Sequence, residues 1–379
     1  MRFVYLDPVL TDDLGYRAIT CRLVREELRR LAIPARFFAG ADAARELRED
    51  CGVLPLFRKT PPDPDALIGW LVSFDAAAKL AVEDMSRIHG LASDDLVYLN
   101  HADPAWLMAI IIWAANLGPG QLPIMIVDIG SDPGLERLVG DRRLGLRDPR
   151  KDPRAILYRY ATTRMPSTVA RRMRLATYAP ETSKAFGVLL GRKVETLPMV
   201  FRATAGRRRR AGERPVAVSI FSDEAADAND PAPRVAASLL RARSDIRLET
   251  YTAASAPSHH DVLERSDLVV LAYDPSDHAF SYSSMAAEAI ANAIPLVVPE
   301  GTPLASLLRE FDGPGSTFAA FTADSISAAA HSVLDRFDSC ASAAYAASER
   351  WTQTHGPGRT VRALLDLAEA MTEADIAGR

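Results

Sequence analysis

Short apolar runs alternate with segments of helical periodicity from the start of the chain. Residues 3–6 form an apolar run, apolar side chains recur at helical spacing through 23–31 among charged ones, and a second apolar run occupies 35–39. A strand, a helix and a strand in this order predict a parallel pair connected through a crossover helix. The chain is therefore predicted to open with an α/β unit.

The same alternation continues through the first half of the chain. The pattern predicts a long helix around 65–89, a strand at 96–99, a helix at 104–117 and a strand at 123–127. These strands are apolar at successive positions instead of alternating with polar residues, which is typical of sheets covered on both faces. We therefore expect a parallel sheet between two layers of helices.

A second α/β series follows the basic segment 202–215, which contains Gly and Pro, has no apolar periodicity and is predicted to be a linker. Fold class is therefore predicted as α/β, with two Rossmann-like domains facing each other across a cleft. The predicted bounds are 1–201 for the first domain, 202–215 for the linker, 216–350 for the second domain and 351–379 for a terminal segment. Open parallel sheets bind ligands at the carboxyl ends of their strands, so the cleft is the expected site.

Composition and charge exclude several classes of protein. The 379 residues are 48% hydrophobic and 25% charged, which is ordinary for a folded globular protein. The 45 basic and 49 acidic residues give a net charge of −4, so nothing in the overall charge favours nucleic acid as a partner. The 3 cysteines are too few for a disulfide framework, and the N-terminus lacks the pattern of a signal peptide. The apolar run 106–117 is too short to cross the membrane, whose hydrocarbon core is about 30 Å thick, so we expect it to form a buried helix. Together with the few cysteines and the lack of a signal-peptide pattern, this predicts a cytoplasmic protein.

One stretch of the predicted first domain departs from the balanced charge. Residues 137–174 carry 12 basic side chains and 3 acidic ones. The stretch is interpreted either as solvated helix faces and loops, or as a patch that attracts anionic lipid headgroups or a phosphorylated acceptor. The second interpretation predicts peripheral contact with the inner face of the membrane.

Several motifs with a known chemistry are absent from the sequence. It contains no phosphate-binding P-loop, no GxGxxG after the first strand, no HExxH and no GxSxG. The pair His259 and His260 has no second group of ligands to complete a metal site. We therefore expect neither a metal ion nor a bound cofactor.

The stretch 266–303 carries the strongest chemical signal. A predicted strand ends in a polar loop, and a helix that contains Glu288 then begins at a run of small or hydroxyl-bearing residues: Ser281, Tyr282, Ser283 and Ser284. Outward N–H groups and the positive end of the helix dipole make such a helix start suited to a diphosphate. Glu288 is placed to accept hydrogen bonds from sugar hydroxyls, and Thr302, after the next strand, supplies a second polar edge.

In the predicted first domain, two polar residues follow the strand at 96–99. His101 and Asp103 lie between this strand and the helix that begins near Pro104. Asp103 directly precedes this proline, which is typical of a helix N-cap. On these residues alone, His101 is interpreted as a capping or loop histidine.

The stretch around Glu288 resembles the donor-binding segment of GT-B glycosyltransferases of the retaining, group 1 or family 4 type. That family has a glutamate followed by alanine and then a "G-x-PVV" segment, and this chain has Glu288-Ala289 followed by residues 292–298 (NAIPLVV). Residues 175–200 resemble the passage before the family's linker. The resemblance implies a terminal helix that packs back toward the first domain.

The resemblance also assigns roles to individual residues. It implies that His101 faces the reacting sugar and lies with Asp103 in the catalytic segment. Gly15 and Tyr16 would lie in the acceptor loop. Glu288 would contact the donor. The resemblance further implies front-face attack, with the leaving diphosphate taking the acceptor proton. The family has a first glutamate eight residues before the second, but Phe280 occupies that position here, so the E-x7-E motif is degenerate.

The resulting functional prediction is a glycosyltransferase of the hexosyltransferase type. It would move a sugar from a nucleotide-diphosphate sugar donor, with retention, to a glycan, lipid or protein acceptor, a role in glycan biosynthesis. Two alternatives stay open: a non-catalytic GT-B-like nucleotide-binding or scaffold protein, motivated by Phe280, and a nucleotide-sugar epimerase of the same fold.

Overall fold

The computed structural model describes residues 1–12, 15–59, 67–118, 120–130, 132–137, 144–203, 214–222, 230–252 and 259–377. The chain divides into two compact units. Unit 1 consists of Met1–Pro198 with Thr360–Arg379, and unit 2 of Met199–Arg359. Most of the predicted linker, residues 204–213, lies outside the described residues.

Unit 1 is built around a parallel sheet. Its described strands are β1 (Phe3–Asp7), β2 (Ala35–Gly40), β3 (Val53–Phe57), β4 (Leu96–Leu99), β5 (Ile124–Asp128), β6 (Leu135–Arg137), β7 (Leu144–Leu146), β8 (Met173–Thr177) and β9 (Glu195–Thr196). Seven of these form one sheet in the order β3-β2-β1-β4-β5-β8-β9, with every pairing parallel, while β6 and β7 form a separate antiparallel pair. Its helices before residue 198 are α1 (Tyr16–Arg30), α2 (Arg45–Cys51), α3 (Leu67–Met85), α4 (Pro104–Ala115), α5 (Arg154–Thr163), α6 (Ser167–Arg171) and α7 (Pro180–Leu190).

The central strands of unit 1 are buried at every position, as their apolar sequences predict. All residues of β1, β4 and β5 are buried, including the ionisable Asp7 and Asp128 at two of the strand ends. Helix α4 packs against both α3 and α5, which explains its almost entirely apolar sequence. The predicted buried helix is thus confirmed. Among the described residues, none of the helices combines the length and apolar character that a membrane span requires.

Strand β3 and the β6–β7 pair are among the features of unit 1 that were not predicted. Strand β3 contains Pro55 and exposes part of its length, because it lies at the edge of the sheet where a missing N–H is tolerated. The β6–β7 pair consists of strands of three residues each, too short to give a periodic signal.

Unit 2 contains a second parallel sheet. Its described strands are β10 (Val216–Ser222), β11 (Ile246–Thr252), β12 (Leu268–Ala272), β13 (Leu296–Pro299) and β14 (Gly315–Phe318), in the order β11-β10-β12-β13-β14. Its described helices are α8 (Ala232–Ala242), α9 (His259–Arg265), α10 (Ser284–Ala291), α11 (Pro303–Glu310), α12 (Ala323–Asp335) and α13 (Phe337–Thr354). The last helix, α14 (Pro357–Ala377), begins in unit 2 and belongs to unit 1 from Thr360 onward. Strand β14 was not predicted. Its Gly315 lies against the backbone of Leu296, where a side chain would collide.

The α/β fold class predicted from the sequence is confirmed, with one parallel sheet in each unit. In each sheet the strand order reverses once, between β1 and β4 in unit 1 and between β10 and β12 in unit 2. The carboxyl ends of the strands beside such a reversal are where open α/β sheets bind ligands. These two edges are therefore the places to look for a site.

Candidate functional site

A buried polar cluster lies at the strand reversal of unit 1. Asp7 ends β1 and is fully buried. Its Oδ1 accepts a hydrogen bond from the Arg17 guanidinium of α1 at 3.0 Å, and its Oδ2 accepts one from the Asn100 amide at 2.8 Å. We call these three residues the Asp7 cluster. It joins the ends of β1 and β4 to the first turn of α1.

The hydrogen bonds of the Asp7 cluster continue through the hydroxyls of two tyrosines. Tyr98 donates to Asn100 Oδ1 at 3.2 Å, and its hydroxyl oxygen lies 2.6 Å from that of Tyr178, which follows β8. Burial raises the pKa of Asp7, while Arg17 and Asn100 oppose this shift. The network links the ends of β1 and β4 to the segment after β8, so this edge is held by side chains as well as by the sheet.

His101 occupies the loop that follows β4, next to the loop that follows β5. Its backbone has a φ of 58°, in the left-handed region that residues other than glycine rarely adopt. Its backbone N–H donates to Asp128 Oδ2 at 3.2 Å, and the Gly130 N–H donates to Asp128 Oδ1 at the same distance. Tyr158 of α5 donates to the carbonyl of Ala102 at 3.1 Å and to that of Ile129 at 2.8 Å. The two strand-end loops are thus tied to each other.

Burial shifts the pKa values of two groups here in opposite senses. It lowers the pKa of His101 to about 3, and the nearby Arg17 cation adds to this effect. It raises the pKa of Asp128 to about 7, although the two N–H groups and Arg17 favour its ionised form. His101 is therefore a neutral imidazole at pH 7, whereas Asp128 titrates near neutrality.

The other predicted residues of the first domain lie around this edge. Asp103 is exposed, and its carboxylate caps α4 by accepting from the Trp106 N–H at 2.8 Å. Its predicted catalytic role stays a prediction. Gly15 precedes α1 with a φ of −73°, so it needs none of glycine's conformational freedom, and its N–H donates to Asp12 at 2.7 Å. Tyr16 lies beneath the Arg17 guanidinium, 5.2 Å from ring centre to Cζ, and burial raises its pKa to about 12.

In unit 2, the predicted donor segment forms the start of α10. Ser283 caps this helix by accepting from the Ala286 N–H at 3.3 Å, and Ser281, Tyr282 and Ser284 are partly exposed beside it. Glu288 lies in the second turn and is only 6% exposed. Helix α10 follows β12, so its N-terminus lies at the carboxyl edge of the sheet.

A second helix begins at the same edge. Thr302 is buried, accepts from the Ala305 N–H at 3.4 Å as the cap of α11, and donates to the Pro299 carbonyl at 2.8 Å. Because β12 and β13 are parallel neighbours, α10 and α11 both start beside their carboxyl ends. Two helix N-termini, each with positive dipole character, therefore lie at this edge of unit 2.

Phe280, eight residues before Glu288, is buried. Phe280 is 3% exposed and belongs to the core of unit 2. The loop before it is ordered by His278, whose ring stacks on Tyr273 with centroids 4.5 Å apart.

The structure adds Asp7, Arg17, Asn100, Asp128 and Gly130 to the candidate residues. Both β1 and β5 end in an aspartate directly after an apolar run (FVYLD and IMIVD), and that pattern was a usable signal. No sequence signal marked Arg17, because it is one of several arginines on α1. Its pairing with Asp7 is evident only in the folded chain.

Part of the basic stretch 137–174 is neutralised within unit 1. Arg147 lies 2.8 Å from Asp132, and Arg154 lies 2.7 Å from Asp152. Arg172 pairs with Asp375 of α14 at 3.0 Å. Within the described parts of the chain, no group of His, Cys, Asp and Glu side chains is arranged to hold a metal ion.

Sequence comparison finds no match among protein-family models or curated proteins. Solved structures do match. Sucrose-phosphate synthase from Thermosynechococcus elongatus is 10% identical with a TM-score of 0.63, covering 99% of this chain and 100% of that one. Anabaena HepE in complex with UDP and glucose is 13% identical with a TM-score of 0.59, covering 98% and 99%. A putative UDP-N-acetylglucosamine 2-epimerase from Listeria monocytogenes is 11% identical with a TM-score of 0.56, covering 98% and 97%.

Other structures of glycosyltransferases recur among these matches. At such low identity the likeness defines the fold alone. The chain has the GT-B fold, the two-unit α/β architecture that the sequence analysis predicted.

Proposed function

We propose that this protein is a glycosyltransferase that takes a sugar from a nucleotide-diphosphate donor. The observation that carries the proposal is the edge of unit 2, where α10 and α11 begin side by side and Glu288 is buried one turn inside α10. Two helix N-termini suit a diphosphate, because their N–H groups and dipoles favour negative charge without a metal ion. Glu288 suits hydroxyl groups, since a carboxylate accepts hydrogen bonds from them.

The acceptor would bind at the edge of unit 1. Neutral His101 is a poor general base, because its pKa of about 3 leaves it little affinity for a proton. It can still exchange hydrogen bonds with a sugar or acceptor hydroxyl. This favours the retaining route, in which the leaving diphosphate takes the acceptor proton and the protein supplies positioning and charge stabilisation.

The similar structures support a nucleotide sugar as the donor class. HepE was solved with UDP and glucose, and sucrose-phosphate synthase is named for a sugar-transfer product. The nucleotide base, the donor sugar and the acceptor are left open by this likeness.

The decisive test is nucleotide binding by the wild type and by Glu288→Gln. Thermal shift with UDP, GDP, ADP and TDP, followed by calorimetry with the best of them, should show binding that Glu288→Gln weakens about tenfold, the loss of one or two hydrogen bonds. Glu349→Gln, an exposed glutamate of α13, is the matched control and should bind as the wild type does. Absence of protection by every nucleotide and nucleotide sugar contradicts the proposal.

A nucleotide-sugar epimerase is the second candidate, favoured by the likeness to the Listeria protein. Incubation with donor alone separates the two reactions: an epimerase converts the donor sugar without an acceptor, whereas a transferase leaves it intact or hydrolyses it slowly. A third candidate is a non-catalytic binding protein, motivated by buried Phe280. It predicts nucleotide binding without turnover of donor by any route.

Membrane contact through residues 137–174 is part of the proposal for a lipid acceptor. Among the described residues, the ion pairs of Arg147, Arg154 and Arg172 leave five exposed cations in this stretch for such contact: Arg150, Lys151, Arg159, Arg164 and Arg171. Co-sedimentation with vesicles that contain anionic lipid should be strong at low salt and weak at high salt. Arg159→Ser with Arg164→Ser should reduce it, and equal binding to neutral vesicles would contradict an electrostatic contact.

A further inference from the structure

We infer that Asp128 is a positioning residue that holds His101 in the orientation used for sugar transfer. The inference rests on the proposed function, because it concerns the group expected to face the reacting sugar. Asp128 itself is buried and is not expected to touch the substrate.

The hydrogen bonds of Asp128 hold the backbone of the His101 loop. One carboxylate oxygen accepts from the His101 N–H and the other from the Gly130 N–H, both at 3.2 Å. The Ala102 N–H donates in addition to the backbone carbonyl of Asp128 at 2.5 Å. His101 has a φ of 58° and Gly130 a φ of 77°. A non-glycine residue keeps such a conformation only when its surroundings impose it, and Asp128 supplies much of that constraint.

The imidazole ring is oriented by this backbone and by packing. A Cβ atom added to Gly130 would lie 3.5 Å from His101 Cε1 and 3.7 Å from Nε2, so the ring rests against the glycine. His101 Nδ1 is buried and has no hydrogen-bond partner among the described residues. Nδ1 therefore does not fix the ring through a hydrogen bond of its own, which leaves the backbone conformation and the packing against Gly130 to orient it.

The charge of Asp128 decides how well it performs this task. An ionised carboxylate accepts from both N–H groups, whereas a protonated one presents an O–H donor toward one of them and weakens that bond. Burial raises its pKa to about 7, so this change falls in the neutral range. The titratable and charged groups that act on Asp128 are Asp7, Tyr16, Arg17, Tyr98, His101, Tyr158 and Tyr178. The pKa of each of these tyrosines is raised, and that of His101 is about 3, which leaves Asp7 as the other carboxyl to control for.

The chain offers a matched control at the opposite edge of the same sheet. Asp95 precedes β4, is buried, and likewise accepts from two backbone N–H groups, those of Arg2 and Ala92, at 3.0 Å each. Asp95→Asn removes the same kind of bond far from His101, together with the ion pair that Asp95 makes with the Arg2 guanidinium at 2.5 Å. It separates a loss of stability from a loss of positioning.

The kinetic test compares Asp128→Asn, His101→Ala and the double variant in sugar transfer. Asp128→Asn should lower kcat by about 10- to 100-fold, since a misplaced group costs on this scale, while donor affinity at unit 2 stays unchanged. Wild-type kcat should rise through pH 7 and that of Asp128→Asn should not. The double variant should be no slower than His101→Ala, because both changes remove the same contribution. The inference is overturned if the kcat losses of the two single variants multiply in the double variant. It is also overturned if Asp95→Asn lowers kcat as much as Asp128→Asn does.

A measurement without turnover keeps the inference testable apart from the proposed function. NMR titration of the His101 imidazole should show a pKa far below the usual value in the wild type and in Asp95→Asn, and a clear rise in Asp128→Asn as the ring becomes solvated. An unchanged His101 titration in Asp128→Asn overturns the inference even if sugar transfer is observed. A changed titration without transfer by the wild type supports the positioning role and counts against the proposed function alone.

Discussion

The carboxyl edges of the two sheets are built by different means. The edge of unit 1 is a network of buried side chains, in which Arg17 and Asn100 both donate to Asp7 and Asp128 holds two loops. The edge of unit 2 is made of backbone, with α10 and α11 capped by the hydroxyls of Ser283 and Thr302. The edge of unit 1 therefore depends on the charges of individual side chains, whereas the edge of unit 2 depends on the backbone N–H groups at two helix N-termini. Substitutions and pH should therefore perturb unit 1 far more than unit 2.

The largest expected effect is at the Asp7 cluster. Asp7→Ala removes the fully buried carboxylate that pairs with the Arg17 guanidinium, whose side chain is 15% exposed. Loss of one member of a buried pair should lower the free energy of unfolding by about 3–5 kcal/mol, and adding Arg17→Met should recover part of it. Urea denaturation measures the loss, while hydrogen exchange of peptides from β1 and β10 assigns it to a unit. Equal loss of hydrogen-exchange protection in β1 and β10 would contradict the expectation that Asp7→Ala destabilises unit 1 more than unit 2.

The second effect concerns pH and separates Asp128 from His101. The folded-state pKa of Asp128 is raised from 3.8 to about 7, so its contribution to stability is present at low pH and is lost as pH rises through this range. The folded-state pKa of His101 is lowered from 6.5 to about 3, so its contribution is present above 6.5 and is lost as pH falls. In the wild type the two slopes oppose each other between about pH 4 and 6.5.

Single variants should expose the two slopes. Relative to the wild type, Asp128→Asn should gain about 1 kcal/mol of unfolding free energy per pH unit between pH 4 and 6.5, and His101→Gln should lose a similar amount. Urea denaturation at a series of pH values measures both. Parallel curves for wild type and Asp128→Asn would mean that the carboxyl of Asp128 is not desolvated.

A smaller effect is expected at the helix caps of unit 2. Ser283→Ala and Thr302→Val each remove one capping bond, which should cost about 1 kcal/mol of unfolding free energy. The loss should be the same at pH 5 and pH 8, because neither hydroxyl titrates in that range. A pH-dependent loss would contradict the description of this edge as backbone and hydroxyl chemistry.

The smallest effect is expected at an exposed ion pair of unit 1. Asp75 and Lys79 are both more than half exposed on α3 and lie 2.7 Å apart. Asp75→Ala should change the free energy of unfolding by less than about 0.5 kcal/mol, as exposed helical pairs do. The same denaturation assay provides the baseline against which Asp7→Ala is judged. A cost comparable to that of Asp7→Ala would show that burial does not separate the two pairs.

The sequence determined the architecture, because burial imposes a pattern on every strand and helix. Apolar runs marked β1, β4, β5, β10, β12 and β13, helical periodicity marked the crossovers, and the hydroxyl-rich run 281–284 marked the start of α10. These are local signals, repeated along the chain. Elements without them, such as the edge strand β3 with Pro55 and the four-residue β14, were missed.

Only the tertiary structure decided which side chains share a site. Asp7, Arg17, Asn100 and Asp128 lie on different elements, and their contacts depend on strand order, which no local pattern encodes. The same order places the loops after β4 and β5 side by side, so that a carboxylate can hold the backbone of His101. The sequence named His101 and Glu288 as candidates, because each follows a recognisable local signal. Their surroundings, and therefore the charge of His101, depend on burial among residues distant in the chain.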